Sequence, residues 1–217
     1  MVYSFLLAVL LAINSLAAQA PAHKESTKKT LLVFGDSLSA GYGLQPGQSY
    51  PDDLQRKLDA QGYAWRVVNL GVSGDTTMGG VARMNTGTAQ KPALVLLELG
   101  GNDGLRGLPL AMTRENLERM IVAFRQIGAK VVLAGMTLPP NYGPDYVNSF
   151  QKMYADLAAK YKLPLIPFLL SDIITKDMRY FQRDGIHPTA DGADIVSDTV
   201  LRALKPLLGA KGKAGKD

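Results

Sequence analysis

The sequence predicts an α/β protein built on a parallel sheet of five strands, with helices covering both faces. Two observations carry this prediction. Five short apolar runs alternate with segments of helical spacing along the 217 residues. Four of those runs lead into polar loops, most of them rich in glycine, and in such sheets the functional loops gather beyond the carboxyl ends of the strands.

The elements follow in order. Residues 31–34 are apolar and stop at Gly35, as a buried strand does. Residues 50–60 place Leu54 and Leu58 on one helical face, closed by Gly62. A second strand is expected over 65–70 and a helix over 77–84. Residues 93–99 (ALVLLEL) form the most apolar strand. Thr113 is a good N-cap for a helix carrying Leu117, Met120, Ile121 and Phe124 at helical spacing. A fourth strand spans 130–134. A loop with Pro139, Pro140, Gly143 and Pro144 precedes a helix over 146–161. The fifth strand is expected over 164–169 and the last helix over 189–208, with Gly209 after it.

The ends of the chain read differently from its body. Residues 1–20 carry no charged side chain, are apolar from Phe5 to Leu16, and finish Ala18-Gln19-Ala20. This is the form of a secretory signal cleaved after Ala20. It predicts an exported protein, periplasmic or secreted. Residues 21–29 read as a flexible linker, 30–208 as one domain, and 209–217 as a basic flexible tail. The net charge of +5 resides on residues 21–30 and 205–217: seven lysines (24, 28, 29, 205, 211, 213, 216) stand there against Glu25 and Asp217. The neutral body lacks the basic face that nucleic-acid binding needs. Contact with an anionic membrane surface is expected to be weak, and the chain is expected to be a monomer. There is no cysteine, so neither disulfides nor thiol chemistry contribute. No metal or cofactor is expected.

The loops at the strand ends carry the chemistry. They read Gly35-Asp36-Ser37-Leu38-Ser39, Gly71-Val72-Ser73-Gly74-Asp75, Gly100-Gly101-Asn102-Asp103 and Asp184-Gly185-Ile186-His187-Pro188. The chain has two histidines, and His23 lies in the linker, so an imidazole base must be His187. A serine hydroxyl needs such a base within hydrogen-bond reach. The base needs a partner that fixes its tautomer, and Asp184 can fold back onto it from three residues away. The backbone N–H groups of Ser37 and Gly74 and the Asn102 amide suit an oxyanion. Glycine at 74 lets the backbone come close. Taken singly, Ser37 reads as a helix cap, Gly74 as a turn residue, Asn102 as an Asx turn and His187 as a surface residue. Taken together, all fall at predicted strand ends.

These blocks, GDSLSAGYGL, NLGVSGDTT, LELGGNDGLRG and DGIHP, resemble the four signature blocks of the SGNH (GDSL) hydrolase superfamily, from about residue 30 to about 208. The resemblance is nearest to the bacterial thioesterase I, lysophospholipase L1 and arylesterase branch. It implies a three-layer α/β/α, flavodoxin-like fold. It implies Ser37 as nucleophile, Asp184 and His187 as its triad partners, and Gly74 and Asn102 beside the Ser37 amide as oxyanion donors. The reaction expected is hydrolysis of acyl esters and thioesters through an acyl-enzyme.

Leu105, Leu108, Leu138 and Pro139 are expected to wall an acyl pocket. Gly104 and Gly107 would let residues 102–107 move as a loop. Asp36, Asp75 and Asp103 are expected to hold the loops through backbone N–H groups. Two other readings remain open at the level of sequence: a carbohydrate O-acetylesterase, which needs a small polar pocket, and a non-catalytic lipid-binding protein.

Overall fold

The computed structural model describes residues 28–211. The expected signal, the N-terminal part of the linker and the last six residues of the tail lie outside the described residues. The elements run β1 (Lys29–Gly35), α1 (Ser37–Ala40), α2 (Tyr50–Ala60), β2 (Trp65–Asn69), α3 (Thr77–Ala82), α4 (Met84–Ala89), β3 (Leu94–Glu98), α5 (Gly101–Leu105), α6 (Leu110–Gln126), β4 (Lys130–Ala134), α7 (Pro144–Tyr161), β5 (Leu165–Ile166), α8 (Ser171–Ile174) and α9 (Ala190–Leu204). Short 3-10 turns cover Pro140–Tyr142, Met178–Tyr180 and Lys205–Leu207.

The five strands form one all-parallel sheet in the order β2-β1-β3-β4-β5. This is the flavodoxin-like order, and its reversal point lies between β1 and β3. A crevice opens there beyond the strand ends, so the segments after β1 and β3 face each other across it. The central strands β1 and β3 are buried on both faces, which explains their unbroken apolar runs. Leu31 to Phe34 and Leu94 to Leu97 are all fully buried. Helices α2 and α9 pack together, as do α3 with α6 and α6 with α7.

Several expected boundaries move, each for a local reason. Strand β1 takes in Lys29, assigned above to the linker, because Lys29 N donates to Ala64 O at 3.1 Å. Helix α6 starts at Leu110, so Thr113 is not its cap. Thr113 is buried within the helix, and its hydroxyl lies 3.3 Å from Asp103 Oδ1. Strand β5 is only two residues long, because Pro167 cannot donate to the sheet ladder. Helix α9 ends at Leu204, ahead of Pro206, and a 3-10 turn carries the chain to Leu208. There the buried Trp65 indole donates to Leu208 O at 3.0 Å, tying the C-terminal segment to β2.

Candidate active site

The turn that carries Ser37, the candidate nucleophile, starts where β1 ends. Asp36 is the N-cap of α1, and its side chain accepts from Leu38 N at 3.1 Å. Ser37 is therefore the first helical residue, not the cap, and its hydroxyl is free to point outward. The turn closes at Gly41, whose φ of 73° lies in the left-handed region that favours glycine. Gly35 is needed for proximity: a Cβ there would lie 2.2 Å from Ser39 Oγ and 2.3 Å from Glu98 Oε2.

His187 reaches Ser37 from the segment before α9. His187 Nε2 lies 2.8 Å from Ser37 Oγ, and His187 Nδ1 lies 2.7 Å from Asp184 Oδ2. The second oxygen of Asp184 accepts from Ile186 N at 2.9 Å and His187 N at 3.0 Å. This turn is how three residues of separation become a side-chain contact. Burial pushes the Asp184 carboxyl up, but these hydrogen bonds and the facing imidazole outweigh it and hold it below its ordinary value. The segment is fastened at several points. Gln182 N donates to His187 O at 2.7 Å, Thr189 N donates to Tyr180 O at 2.8 Å, and the Gln182 amide donates to Pro188 O and to Tyr42 O. The Tyr42 ring lies 4.6 Å from the imidazole, centroid to centroid.

Gly74 and Asn102 arrive from the ends of β2 and β3. Gly74 has φ 81°, and a Cβ there would meet only an Arg106 nitrogen, at 3.9 Å. Within the protein its requirement is conformational. Arg106 donates to Gly74 O at 2.9 Å and steadies the turn. The Asn102 amide donates to Asp75 O at 2.9 Å and to Asp36 Oδ2 at 3.2 Å, so its orientation is fixed from two sides.

Ser37, Gly74, Asn102 and His187 all line one cavity of about 680 Å³. Its wall away from Ser37 includes Leu105, Met136, Leu138, Pro139, Phe168 and Ile174. Leu108, expected in that wall, does not line it. Gly107, at φ 63°, turns the chain away, and Leu108 O instead accepts from the Tyr146 hydroxyl at 3.0 Å. Residues 101–105 form helix α5, not a loop. Gly104 packs inside it: a Cβ there would lie 2.7 Å from Leu138 Cδ2 and 2.8 Å from the Phe150 ring.

Two of the three aspartates act as expected. Asp36 accepts from Leu38 N, and Asp103 accepts from Thr77 N at 2.8 Å. Asp75 departs from expectation and pairs with Arg83 at 2.6 Å. Arg83 also donates to Leu70 O and Gly35 O, joining the first two loops. Sequence reasoning passed over Arg83, Tyr42 and Glu98. Only Glu98 carried a signal, a lone acid at the end of an otherwise apolar strand.

A serine–imidazole–carboxylate relay at the carboxyl edge of this sheet, opening on an apolar cavity, defines the class: a carboxylic ester hydrolase. Comparison with known proteins agrees. Residues 33–195 match the GDSL-like lipase/acylhydrolase family. The chain is 46% identical over 186 residues to esterase TesA of Pseudomonas aeruginosa, covering 85% of this chain and 92% of that one. It is 37% identical over 205 residues to thioesterase 1/protease 1/lysophospholipase L1 of Escherichia coli K12, covering 94% and 92%. The crystal structure of TesA superposes with a TM-score of 0.79 at 47% identity, covering 83% of this chain and all of that one. The chain belongs to the GDSL-like lipase/acylhydrolase family.

Proposed function

We propose that the protein is an exported serine esterase acting on fatty acyl esters and thioesters, with Ser37 as nucleophile, His187 as base and Asp184 as its orienting partner. The observation that carries this is the unbroken relay from Ser37 Oγ through the imidazole to Asp184, at 2.8 and 2.7 Å. The relatives named esterase and thioesterase/lysophospholipase support the same substrate classes.

His187 Nε2 takes the Ser37 proton as the oxygen attacks the acyl carbon. Asp184, held ionised, keeps Nδ1 protonated and stabilises the imidazolium. The backbone N–H groups of Ser37 and Gly74 receive the oxyanion, joined by the Asn102 amide when one of its two N–H groups turns from its resting acceptor, Asp75 O or Asp36 Oδ2. The alcohol or thiol leaves with the proton from His187. Water then repeats the sequence on the acyl-enzyme.

The apolar wall favours an acyl chain over the acetyl group of a sugar, and the intact relay favours an enzyme over a lipid carrier. Export is supported by residues 1–20. In this reading the domain acts as a monomer and touches membrane surfaces only weakly. Hydrolysis of p-nitrophenyl esters from acetate to palmitate, with Ser37→Ala as control, tests the proposal. Activity on medium or long chains that is lost in Ser37→Ala is expected. A folded wild-type protein inactive on every ester, or a preference for acetate, would contradict it.

A further inference from the structure

One buried titratable cluster has no part in the proton transfers above. Glu98 closes β3 and is fully buried. Its Oε2 accepts from Asp36 N at 3.2 Å and from Ser39 Oγ at 2.6 Å. Ser39 Oγ lies in turn 2.7 Å from the Tyr50 hydroxyl. Its Oε1 faces no donor. Asp36, 3% exposed, sits directly against Glu98 through that backbone contact. Two ionised carboxylates buried side by side repel, and an ionised Oε1 would be left without a donor, so the pair requires a proton. Asp36 spends its remaining acceptor capacity on Leu38 N, in the nucleophile turn, and on the Asn102 amide.

We propose that Asp36 and Glu98 share a single proton, and that this carboxyl–carboxylate pair positions the Ser37 turn and the Asn102 amide for the reaction. The orphaned Oε1 then acts as donor, which removes the cost of burying it without a partner. Burial, followed by the neighbouring Asp36 charge, pushes the Glu98 carboxyl well above its ordinary range. Burial raises Asp36 to about 6. At neutral pH the proton therefore sits on Glu98 and the negative charge on Asp36.

The charge state matters in both directions. An ionised Asp36 can accept from Leu38, Asn102 and Glu98 at once, whereas a protonated one must turn a hydroxyl toward one of these donors. A second negative charge on Glu98 would oppose the oxyanion forming nearby. The surrounding groups leave the pair to itself. Arg83 is taken up by Asp75, Leu70 O and Gly35 O. Tyr154 donates to Leu99 O, and Tyr50 is engaged with Ser39. His187 lowers and Asp75 raises the Asp36 value, and both rank below burial.

This inference rests on the reading of Asn102 as an oxyanion donor, so its test pairs kinetics with a signal that needs no turnover. The infrared difference spectrum of wild type minus Glu98→Gln, at neutral pH, should contain a protonated-carboxyl C=O band. Because that band is independent of activity, a wrong assignment of the nucleophile, read separately from Ser37→Ala, leaves it in place. Glu98→Gln should keep kcat within about threefold, since an amide N–H can replace the donated O–H. Asp36→Asn should lose roughly tenfold or more in kcat with KM nearly unchanged, because positioning for the oxyanion is felt in the transition state. Absence of the band would overturn the proposal. So would Asp36→Asn at the wild-type kcat, or Glu98→Gln as damaged as Asp36→Asn.

Discussion

In the proposed mechanism Ser37, His187 and Asp184 act through one another, so their contributions cannot be additive. Ser37→Ala and His187→Ala are each expected to lower kcat by about 10³-fold or more, and the double variant should be scarcely worse than either single one. Steady-state kinetics on the four proteins checks this. Losses that multiply would mean the two residues work independently. Asp36 gives a second prediction, on stability. Its folded-state value of about 6 exceeds the ordinary 3.8, so the folded protein binds this proton more tightly than the unfolded chain. Its contribution is therefore most favourable at low pH and is lost as pH rises through about 6. Asp184 works the other way, contributing above 3.8 and losing that contribution as pH falls through its lowered folded value. Thermal melts should show Asp36→Asn flattening the loss of stability that this group gives wild type as pH rises from 3.8 to about 6. An unchanged slope would contradict the burial argument. The triad residues were legible because nucleophilic chemistry restricts them to few residue types and only one usable histidine exists. Arg83 and Tyr42 were not legible, because an arginine bridging two loops or a tyrosine beside an imidazole has no local sequence pattern.

At the scale of elements, α5 and the 137–142 segment shape the proposed acyl cavity. Gly104 sits in α5 against Leu138 and Phe150. Gly104→Ala is expected to press Leu138 into the cavity, since the Leu138 side chain yields more easily than the Phe150 ring. The kcat/KM for long p-nitrophenyl esters should fall by several-fold while that for acetate changes little. An equal fall for both chain lengths would point to a distorted nucleophile site instead. The two glycines of this stretch look alike in sequence, but Gly104 packs inside α5 and Gly107 makes a turn at φ 63°. Composition alone cannot distinguish these uses, because glycine answers both to missing volume and to missing backbone restriction. Apolar runs fixed β1, β3 and β4 well, because those strands are buried on both faces. Strand β5 and the start of α6 were misjudged where a proline or a buried contact, not periodicity, sets the end.

At the scale of the molecule, the sheet order brings four loops, spread over some 150 residues of chain, to one edge. The order itself was not readable from strand count; it came with the family resemblance. The C-terminal segment is anchored by the Trp65–Leu208 contact, so truncation after Leu208 should leave activity and melting temperature unchanged. Truncation before Leu201, which removes Leu201, Leu204 and Leu208 from the core, should abolish the cooperative urea transition, because a loss of order 2–5 kcal/mol per leucine matches the about 5–15 kcal/mol that hold a domain together. Urea melts of the two truncations check this. The central claim, that Ser37 is made nucleophilic by His187, is tested most directly by covalent capture. The protein is treated with an activated alkyl phosphonate ester and the adduct is located by peptide mass spectrometry. A single adduct on Ser37, absent from His187→Ala, is the predicted result. An adduct on any other residue, or equal labelling of Ser37 without His187, would contradict the account.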